Sequence, residues 1–307
     1  MSHSLQTFRF TGSEQGSHLL ITGGVHGDEF EPIAAIRRLI HLFDRGDHTT
    51  SGLRGSVTFV PIVNQAAFLR GHRCADDGLD LARTCPGRED GSITEQTAWE
   101  LSQLIRSADV YIDLHTGGTE YSVLPLAGYS LHRDSAILDT QRRMARAFNL
   151  PVIWGTAGNL DGRSLSVARD ANVPAIYCEY LGSATCAVEG VTAYVAGCLN
   201  AMAELGLLDR EQPESQIEHV IENPRPGSGH MQVCHPSPVA GYFEPVVKLG
   251  SRVRAGDVFG TVFDIESHQP HVIEAESDGI VLVLRTFPRV KPGDSVGVVA
   301  DSETEGT

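Results

Sequence analysis

The residues of this chain that are best suited to chemistry begin with His26 and Glu29, three positions apart in a glycine-rich stretch. An apolar run, 18–22, precedes this stretch and a helically spaced apolar pattern, 29–43, follows it, so the glycines mark a turn from a strand to a helix. An imidazole nitrogen and a carboxylate oxygen on one turn are donors that Zn²⁺ accepts at roughly 2.0–2.2 Å. The alternative is an acid that only begins a solvated helix, because Asp and Glu favour the first helical turn. The motif alone leaves both interpretations open.

A second histidine, His115, ends the apolar stretch 110–115. Ligands of an open α/β sheet bind beyond the carboxyl ends of its strands, so a histidine at that position can supply a third metal ligand. Asp113 lies two residues earlier on the same face of the strand, where it can orient a ligand by hydrogen bonding. The alternative is a core histidine bonded to backbone. The position of His115 at a strand end favours the metal site.

Glu179 ends another apolar run, 174–179. Burial raises the pKa of a carboxyl group, and a raised pKa suits a general base. Beside zinc, which lowers the pKa of water to about 7, such a carboxylate can take a proton from water and pass it to a leaving amine. The alternative is an exposed strand-end glutamate that pairs with a surface cation.

Three arginines are candidates for binding anionic groups. Arg73 and Arg83 lie on a long, charged segment, 64–90, and Arg163 precedes a predicted helix. An arginine beside a metal can stabilise an oxyanion, and a guanidinium binds a carboxylate with two hydrogen bonds. A single loop arginine is more often a solvated surface residue, but three near one sheet edge favour a shared role. The segment 64–90 lacks periodicity and is predicted to be a functional loop.

The elements that must position these residues alternate between strand and helix as far as residue 207, which predicts an α/β domain with a mixed, mostly parallel sheet flanked by helices. Ser92 followed by Glu95 predicts a capping box at a helix start. The predicted strands are 18–22, 57–63, 110–114, 152–154 and 175–179. The predicted helices are 29–44, 94–107, 135–148, 164–171 and 186–205.

The composition changes after residue 208. The predicted organisation is a hydrolase domain at 1–208, a linker or extended crossover at 209–228, and a smaller C-terminal all-β barrel or sandwich domain at 229–307. The strands predicted in the last part are 241–243, 246–250, 258–263, 279–284 and 296–300. Its turns resemble those of biotinyl and lipoyl carrier barrels. The hairpin Ser267–His271 has no lysine to modify, so a structural or substrate-shaping role is expected.

Composition excludes several classes of function. The formal charge of −15 argues against partners that are nucleic acids or anionic membranes, because both attract positive surfaces. No apolar run approaches the ~20 residues of a membrane span, and residues 1–10 lack a signal-peptide pattern, so a cytoplasmic location is expected. Six cysteines without a CxxC pair suggest neither a zinc knuckle nor a disulfide framework.

Taken together in order, these motifs resemble the succinylglutamate desuccinylase/aspartoacylase family, zinc-dependent relatives of the metallocarboxypeptidases. The resemblance covers residues 23–182, and the barrel resembles the C-terminal domain of bacterial members. The residues that carry it are His26-Gly27-Asp28-Glu29, Asn64 with Arg73, Asp80-Leu81-Ala82-Arg83 before Pro86-Gly87, Asp113-Leu114-His115-Thr116, and 174–182 around Glu179.

The resemblance implies a zinc carboxypeptidase-like fold with one zinc ion per chain, bound by His26, Glu29 and His115. It implies that Glu179 is the general base and acid and that Arg73 polarises the scissile carbonyl.

On the substrate side, the resemblance implies binding by Arg83, Arg163 and Asn64. Family members often carry Asn where this chain has Ala82, and Cys85 replaces a common aromatic residue. These two changes concern the substrate and leave the metal ligands and the base in place.

The predicted function is therefore zinc-dependent hydrolysis of the amide of a small N-acyl amino acid or related amine, for which N-acetyl-diaminobutyrate deacetylases are one family branch. One alternative is a metallocarboxypeptidase that acts on peptides, although Ala82 weakens a grip on a terminal carboxylate. Another is a non-catalytic binding protein, although such a protein needs no general base. The expected partner is a small-molecule substrate, and a homo-oligomer is a possible assembly.

Overall fold

The computed structural model describes residues 5–47 and 50–301. The strands are β1 (Phe8–Thr11), β2 (Glu14–Thr22), β3 (Arg54–Val60), β4 (Val110–His115), β5 (Tyr121–Ser130), β6 (Val152–Thr156), β7 (Ala175–Gly182), β8 (His219–Asn223), β9 (Gly241–Pro245), β10 (Arg252–Val253), β11 (Val258–Asp264), β12 (Pro270–Glu274), β13 (Gly279–Arg285), β14 (Arg289–Val290) and β15 (Gly297–Asp301). The helices are α1 (Phe30–Asp44), α2 (Gln65–Arg70), α3 (Ile93–Arg106), α4 (Ser135–Phe148), α5 (Ser164–Asp170) and α6 (Val188–Glu204). Short 3₁₀ turns cover Leu81–Arg83 and Met231–Val233.

The large sheet places β1, β3, β2, β4, β7 and β5 side by side. Strand β2 runs parallel to β3 and β4, and β4 runs parallel to β7. Strand β5 is antiparallel to β7, and it begins a further parallel run through β6 to β8. The predicted fold class, a mixed and mostly parallel sheet flanked by helices with a C-terminal β part, is confirmed.

Alternating side chains on the central strands bind helices to both faces of this sheet. Leu19 and Ile21 of β2 belong to the core shared with α1, α4 and α6, whereas Leu20 belongs to the core shared with α3 and α5. Successive side chains of a strand point to opposite faces. A continuous apolar run is therefore what a strand covered on both sides requires.

The carboxyl ends of β2, β4 and β7 meet at one edge of the sheet. In the strand register, Thr22 is paired with Asp113, and His115 is paired with Glu179. Both pairs lie at or near the last residues of their strands, so the turn that follows β2 reaches the same edge. The fold thus brings the three predicted chemical motifs together.

Several predictions within the first 208 residues differ from the structure. Strand β1 was not predicted, and β3 begins and ends three residues before the predicted strand 57–63. The segment 64–90 is not wholly irregular, because α2 and a 3₁₀ turn lie inside it. Strand β5 was not predicted, since Pro125 interrupts its pattern. The structure accommodates that proline at a register irregularity between Val123 and Leu126. The capping box is confirmed, because Ser92 and Glu95 exchange both hydrogen bonds.

The segment 209–228 is more ordered than a linker, since β8 lies in it and pairs with β6 in the large sheet. In the C-terminal part, residues 246–250 form no named strand, and β10, β12 and β14 were not predicted. Strands β12, β11, β9 and β14 form a second sheet, while β13 joins the large sheet by pairing with the start of β5. Hydrogen bonds of a single sheet therefore connect the C-terminal part to the α/β part.

No helix within residues 5–47 and 50–301 is long and apolar enough to cross a membrane.

Candidate active site

The turn after β2 places its histidine and glutamate because Gly27 has no side chain. A Cβ atom at this position would overlap the backbone carbonyl of Ala67 in α2, so only glycine allows the turn to pack against that helix. Glu29 is the N-cap residue of α1, in extended conformation, but its carboxylate makes no capping hydrogen bond. It lies instead between two histidines.

The Glu29 carboxylate connects the rings of His26 and His115. Its Oε1 lies 2.7 Å from Nδ1 of His26, and its Oε2 lies 3.1 Å from Nδ1 of His115. The two ring centroids are 5.3 Å apart, and all three side chains are buried. Burial alone would raise the pKa of Glu29, but His26 and His115 lower it below its ordinary value.

Two further carboxylates contact the outer nitrogens of these histidines. Nε2 of His26 lies 3.0 Å from Asp80, and Nε2 of His115 lies 3.1 Å from Asp113. Asp113 is itself fixed by the hydroxyl groups of Thr22 and Ser164, which donate hydrogen bonds to its two oxygens. In the neutral tautomer that carries its hydrogen on Nε2 and donates it to the carboxylate, each ring would present the lone pair of Nδ1 to a metal ion at the centre of the site.

The residues present fit a zinc ion. One ligand atom from each of His26, Glu29 and His115 can be chosen so that all lie within 4.8 Å of one another. Two ligands of one zinc ion, each about 2.0–2.2 Å from it, are separated by roughly 3.4 Å. Burial alone would lower the pKa of His115, but Asp113 and Glu29 raise it well above its ordinary value. The site therefore favours positive charge. Three protein ligands, of imidazole and carboxylate type, are typical of catalytic zinc.

Glu179 lies beside His115 on the neighbouring strand, at the paired position of the register. Its side chain is buried, and its Oε2 has no hydrogen-bond partner among the described residues. Burial raises the pKa of Glu179, and the nearby Glu29 carboxylate adds to this effect, while His115 opposes it. A buried carboxylate with an unengaged oxygen at the histidine cluster is suited to exchange protons with a ligand.

Arg73 lies at the same cluster. Its Nε and one terminal nitrogen donate to Oδ2 of Asp80 at 3.1 and 3.0 Å. Because Asp80 also contacts His26, one carboxylate positions both an arginine and a candidate metal ligand. The sequence placed Asp80 in a family-like motif but did not predict that its carboxylate would contact both His26 and Arg73.

Arg83 and Arg163 lie side by side although they are far apart in the sequence. A Cβ atom at Gly162 would lie 2.7 Å from the carbonyl oxygen of Arg83, so glycine there allows the two segments to touch. Burial and the nearby positive charge of Arg163 together lower the pKa of Arg83 to about 10. One terminal nitrogen of Arg163 is buried without a hydrogen-bond partner among the described residues. Two adjacent, partly desolvated guanidinium groups are suited to bind an anion.

These groups open into one cavity of about 610 Å³, within the usual size range of small-molecule sites. Seven of the eight predicted site residues line it, namely His26, Glu29, Arg73, Arg83, His115, Arg163 and Glu179. Asn64 is not among the described residues that line the cavity. Its side-chain oxygen accepts a hydrogen bond from the backbone N–H of Ala67 at the start of α2. A substrate-binding role for Asn64 stays a prediction.

The cavity also has lining residues that sequence reasoning missed. Tyr177 lies two residues before Glu179 and shares its strand face, a signal that the alternation rule could have revealed. Met231, Phe287, Arg289 and Asp294 come from the C-terminal part. Their approach depends on the pairing of β13 with β5, for which the sequence offers no local signal.

The chain matches the family model described as the succinylglutamate desuccinylase/aspartoacylase catalytic domain over residues 15–204. It is 32% identical to an N-alpha-acetyl-L-2,4-diaminobutyric acid deacetylase of Halomonas elongata. The alignment extends over 298 residues and covers 94% of this chain and 83% of the relative.

Solved structures agree with this match. The product-bound ectoine utilization protein EutE (DoeB) of Ruegeria pomeroyi superposes with a TM-score of 0.85 at 25% identity, over 96% of this chain and 88% of that one. A succinylglutamate desuccinylase/aspartoacylase of Rhodobacter sphaeroides gives a TM-score of 0.83 at 26% identity, over 96% and 89% of the two chains. The chain therefore belongs to the succinylglutamate desuccinylase/aspartoacylase family.

Proposed function

We propose that this protein is a zinc-dependent deacylase that hydrolyses the amide bond of a small N-acyl amino acid. The observation that carries the proposal is the convergence of three groups in one cavity. These are the His26–Glu29–His115 cluster, the buried carboxylate of Glu179, and the adjacent guanidinium groups of Arg83 and Arg163. The family and the named activity of the Halomonas relative support it.

When bound, zinc would supply Lewis acidity toward the amide carbonyl and lower the pKa of the attacking water to about 7. Glu179 accepts a proton from the attacking water and delivers it to the amide nitrogen as the C–N bond breaks. One carboxylic acid and one amine leave, so that one water is consumed per bond. Arg73, fixed by Asp80, donates hydrogen bonds to the oxygen that gains negative charge.

The adjacent guanidinium groups of Arg83 and Arg163 hold the carboxylate of the amino acid. A carboxylate here would satisfy the buried terminal nitrogen of Arg163 and relieve the repulsion between the two cations. Ala82 lines the cavity beside Arg83 and offers no side-chain amide. In this proposal, binding of the substrate carboxylate therefore depends on the two arginines. The cytoplasmic location expected from the sequence stays a prediction.

Metal analysis and a substrate screen test the proposal together. Purified protein should contain about one zinc per chain and release free amine from at least one member of a panel of N-acetyl, N-formyl and N-succinyl amino acids. Chelation should abolish turnover, and added zinc should restore it. The variant His115→Ala should lose zinc, because one of three protein ligands is gone.

Glu179→Gln tests the base separately. It should keep zinc and lose several orders of magnitude in kcat, since the amide cannot accept the proton. A matched control is Glu266→Gln, an exposed residue outside the cavity, which should retain full activity. A folded protein that binds no zinc, or a Glu179→Gln variant with normal turnover, would contradict the proposal.

A further inference from the structure

The chain leaves β7 through a strained turn that begins two residues after Glu179. Leu181, Ser183 and Ala184 have φ angles of 46°, 58° and 53°, and Gly182 between them has a φ of 145°. The left-handed conformation is unfavourable for residues other than glycine, so surrounding contacts must offset its cost. The side chains that follow Gly182 in this turn are exposed, so packing in the core does not impose the conformation. Hydrogen bonds must therefore hold the turn.

On one side, the turn is bonded to the backbone that follows His115. The carbonyl of Leu181 accepts a hydrogen bond from the N–H of Gly117 at 2.7 Å, and the N–H of Ala184 donates to the carbonyl of Gly118 at 2.9 Å. The contact is close, because a Cβ atom at Gly117 would lie 2.9 Å from the carbonyl oxygen of Leu181. The backbone after the proposed base is thus held against the backbone after a candidate metal ligand.

On its other side, the turn is held by Glu31, in the first turn of α1. Oε1 of Glu31 accepts a hydrogen bond from the N–H of Ala187 at 2.8 Å. The hydroxyl of Thr185 donates to the carbonyl of Gly182 at 2.7 Å and lies 3.4 Å from the same oxygen of Glu31. Ala187 is the N-cap residue of α6, and its methyl side chain cannot accept a hydrogen bond. Glu31 therefore does for α6, from another helix, what the glutamate of a capping box does within one helix.

The burial of Glu31 is unfavourable by itself. Its side chain is 0% exposed, and its Oε2 has no hydrogen-bond partner among the described residues. The Glu29 carboxylate is near enough to repel it. A buried carboxylate with an unbonded oxygen costs free energy, and an apolar side chain of similar size would avoid that cost. What Glu31 adds to the molecule is the anchor that it gives to the turn.

We propose that Glu31 is a positioning residue, which anchors the turn 181–184 and through it fixes the carboxylate of Glu179. Helix α1 begins beside the candidate metal ligand Glu29, so one helix start sets the position of a metal ligand and, through the turn, that of the proposed base. This inference rests on the proposed deacylase function and adds to it a residue that does not line the cavity. A displacement of about 1 Å at a reacting group can lower the rate about 100-fold.

Glu31→Ala and Glu31→Gln separate the anchor from the charge. Alanine removes the acceptor, so kcat should fall about 10- to 100-fold, while KM changes by less than about 3-fold. The zinc content should match that of the wild type, because no candidate ligand is altered. Glutamine keeps an oxygen for the N–H of Ala187 and should keep kcat within about 3-fold of the wild type. Thr185→Val removes the hydroxyl at nearly constant size and should lower kcat about 3- to 10-fold.

Amide hydrogen exchange supplies a readout that needs neither turnover nor zinc. Mass spectrometry of the metal-free protein follows the peptides that span 116–121 and 180–187. In Glu31→Ala, both peptides should exchange on the order of 10-fold faster than in the wild type, because the turn opens more often. In Glu31→Gln, both should exchange at the wild-type rate.

Asp134→Ala is the matched control. Asp134 caps α4 by accepting hydrogen bonds from the N–H groups of Ala136 and Ile137, and it does not line the cavity. Its substitution also removes a carboxylate from a helix start. It should lower thermal stability and leave kcat, KM and the exchange of both peptides unchanged.

A folded Glu31→Ala variant with wild-type kcat, or with wild-type exchange in both peptides, would overturn the inference. Equal losses of kcat in Glu31→Gln and Glu31→Ala would also overturn it, because the charge and not the anchor would then matter. If Glu31→Ala does not fold, Thr185→Val decides, since wild-type kcat in that variant contradicts the inference and a lowered kcat supports it. If the wild type hydrolyses no N-acyl amino acid, the deacylase proposal fails, and the exchange data still decide whether Glu31 anchors the turn.

Discussion

Asp80→Asn is the substitution that most directly tests how the site is held together. Oδ1 of Asp80 lies 3.0 Å from Nε2 of His26 and accepts the N–H of Ala82 at 3.0 Å, while Oδ2 accepts two hydrogen bonds from Arg73. An asparagine has one oxygen and one NH₂ group. In either orientation, the NH₂ group faces a donor, so one of the two functions must be lost.

Both orientations retain two accepted hydrogen bonds, but the backbone N–H of Ala82 is fixed in the 3₁₀ turn that Asp80 caps, whereas the partly exposed side chain of Arg73 can move. The orientation that keeps the oxygen toward His26 and Ala82 should therefore prevail. Arg73 then loses its anchor, and loss of an oxyanion donor costs about 10²–10³ in kcat. Zinc affinity should fall by less than the roughly 10- to 100-fold typical when a partner of a ligating histidine is removed. Steady-state kinetics on the best substrate and zinc competition with a chromophoric chelator measure the two effects.

Asp77→Asn is the matched control on the same loop. Asp77 accepts hydrogen bonds from Ser92 and Thr94 at the start of α3 and does not line the cavity. Its substitution should lower the stability of the fold by about 1 kcal/mol, as loss of a cap does, and leave kcat unchanged. An Asp80→Asn variant with wild-type kcat and wild-type zinc affinity would refute the reasoning about the shared carboxylate.

Three further predictions concern packing and stability. Gly27→Ala should unfold at lower denaturant and bind zinc poorly, since the new methyl group overlaps the Ala67 carbonyl, and urea titration with metal analysis checks both. Arg285→Met should destabilise by about 3–5 kcal/mol in equilibrium unfolding, because it leaves buried acceptors without their cation. Glu222→Gln should cost about 1 kcal/mol at pH 7, because the hydrogen bond and charge of Arg142 lower the pKa of Glu222. That contribution is present above the ordinary pKa of 4.5 and is lost as pH falls through the lowered one, so the stability difference from wild type should shrink as the pH of the unfolding experiment falls below 4.5.

Each of these has a contrary result. A Gly27→Ala variant with normal stability would mean that the turn and α2 can move apart. A neutral Arg285→Met variant would mean that the connection between β5 and the C-terminal part does not depend on this arginine. A Glu222→Gln deficit that persists at low pH would assign the loss to packing and not to charge.

Sequence alone determined the strands that carry chemistry, although β7 continues to Gly182, three residues beyond its predicted end at Glu179. The apolar runs before His26, His115 and Glu179 are continuous because both faces of the central sheet are covered, and such runs are readable without a structure. Helix α4 is observed with the predicted bounds, Ser135–Phe148. Because parallel strands end at one sheet edge, the sequence also implied that the three motifs converge.

Tertiary structure alone decided what surrounds those motifs. The proline of β5 hid a strand whose pairing with β13 brings Asp294 and Phe287 to the cavity, and no local pattern encodes a pairing between segments so far apart. Asp80 and Asp28 lie in motifs that are visible in the sequence. Their hydrogen bonds with Arg73 and Thr119 are visible only in the folded structure. Local periodicity depends on which face of an element is buried. Hydrogen-bond partners depend on contacts between distant segments, and only the folded chain shows these.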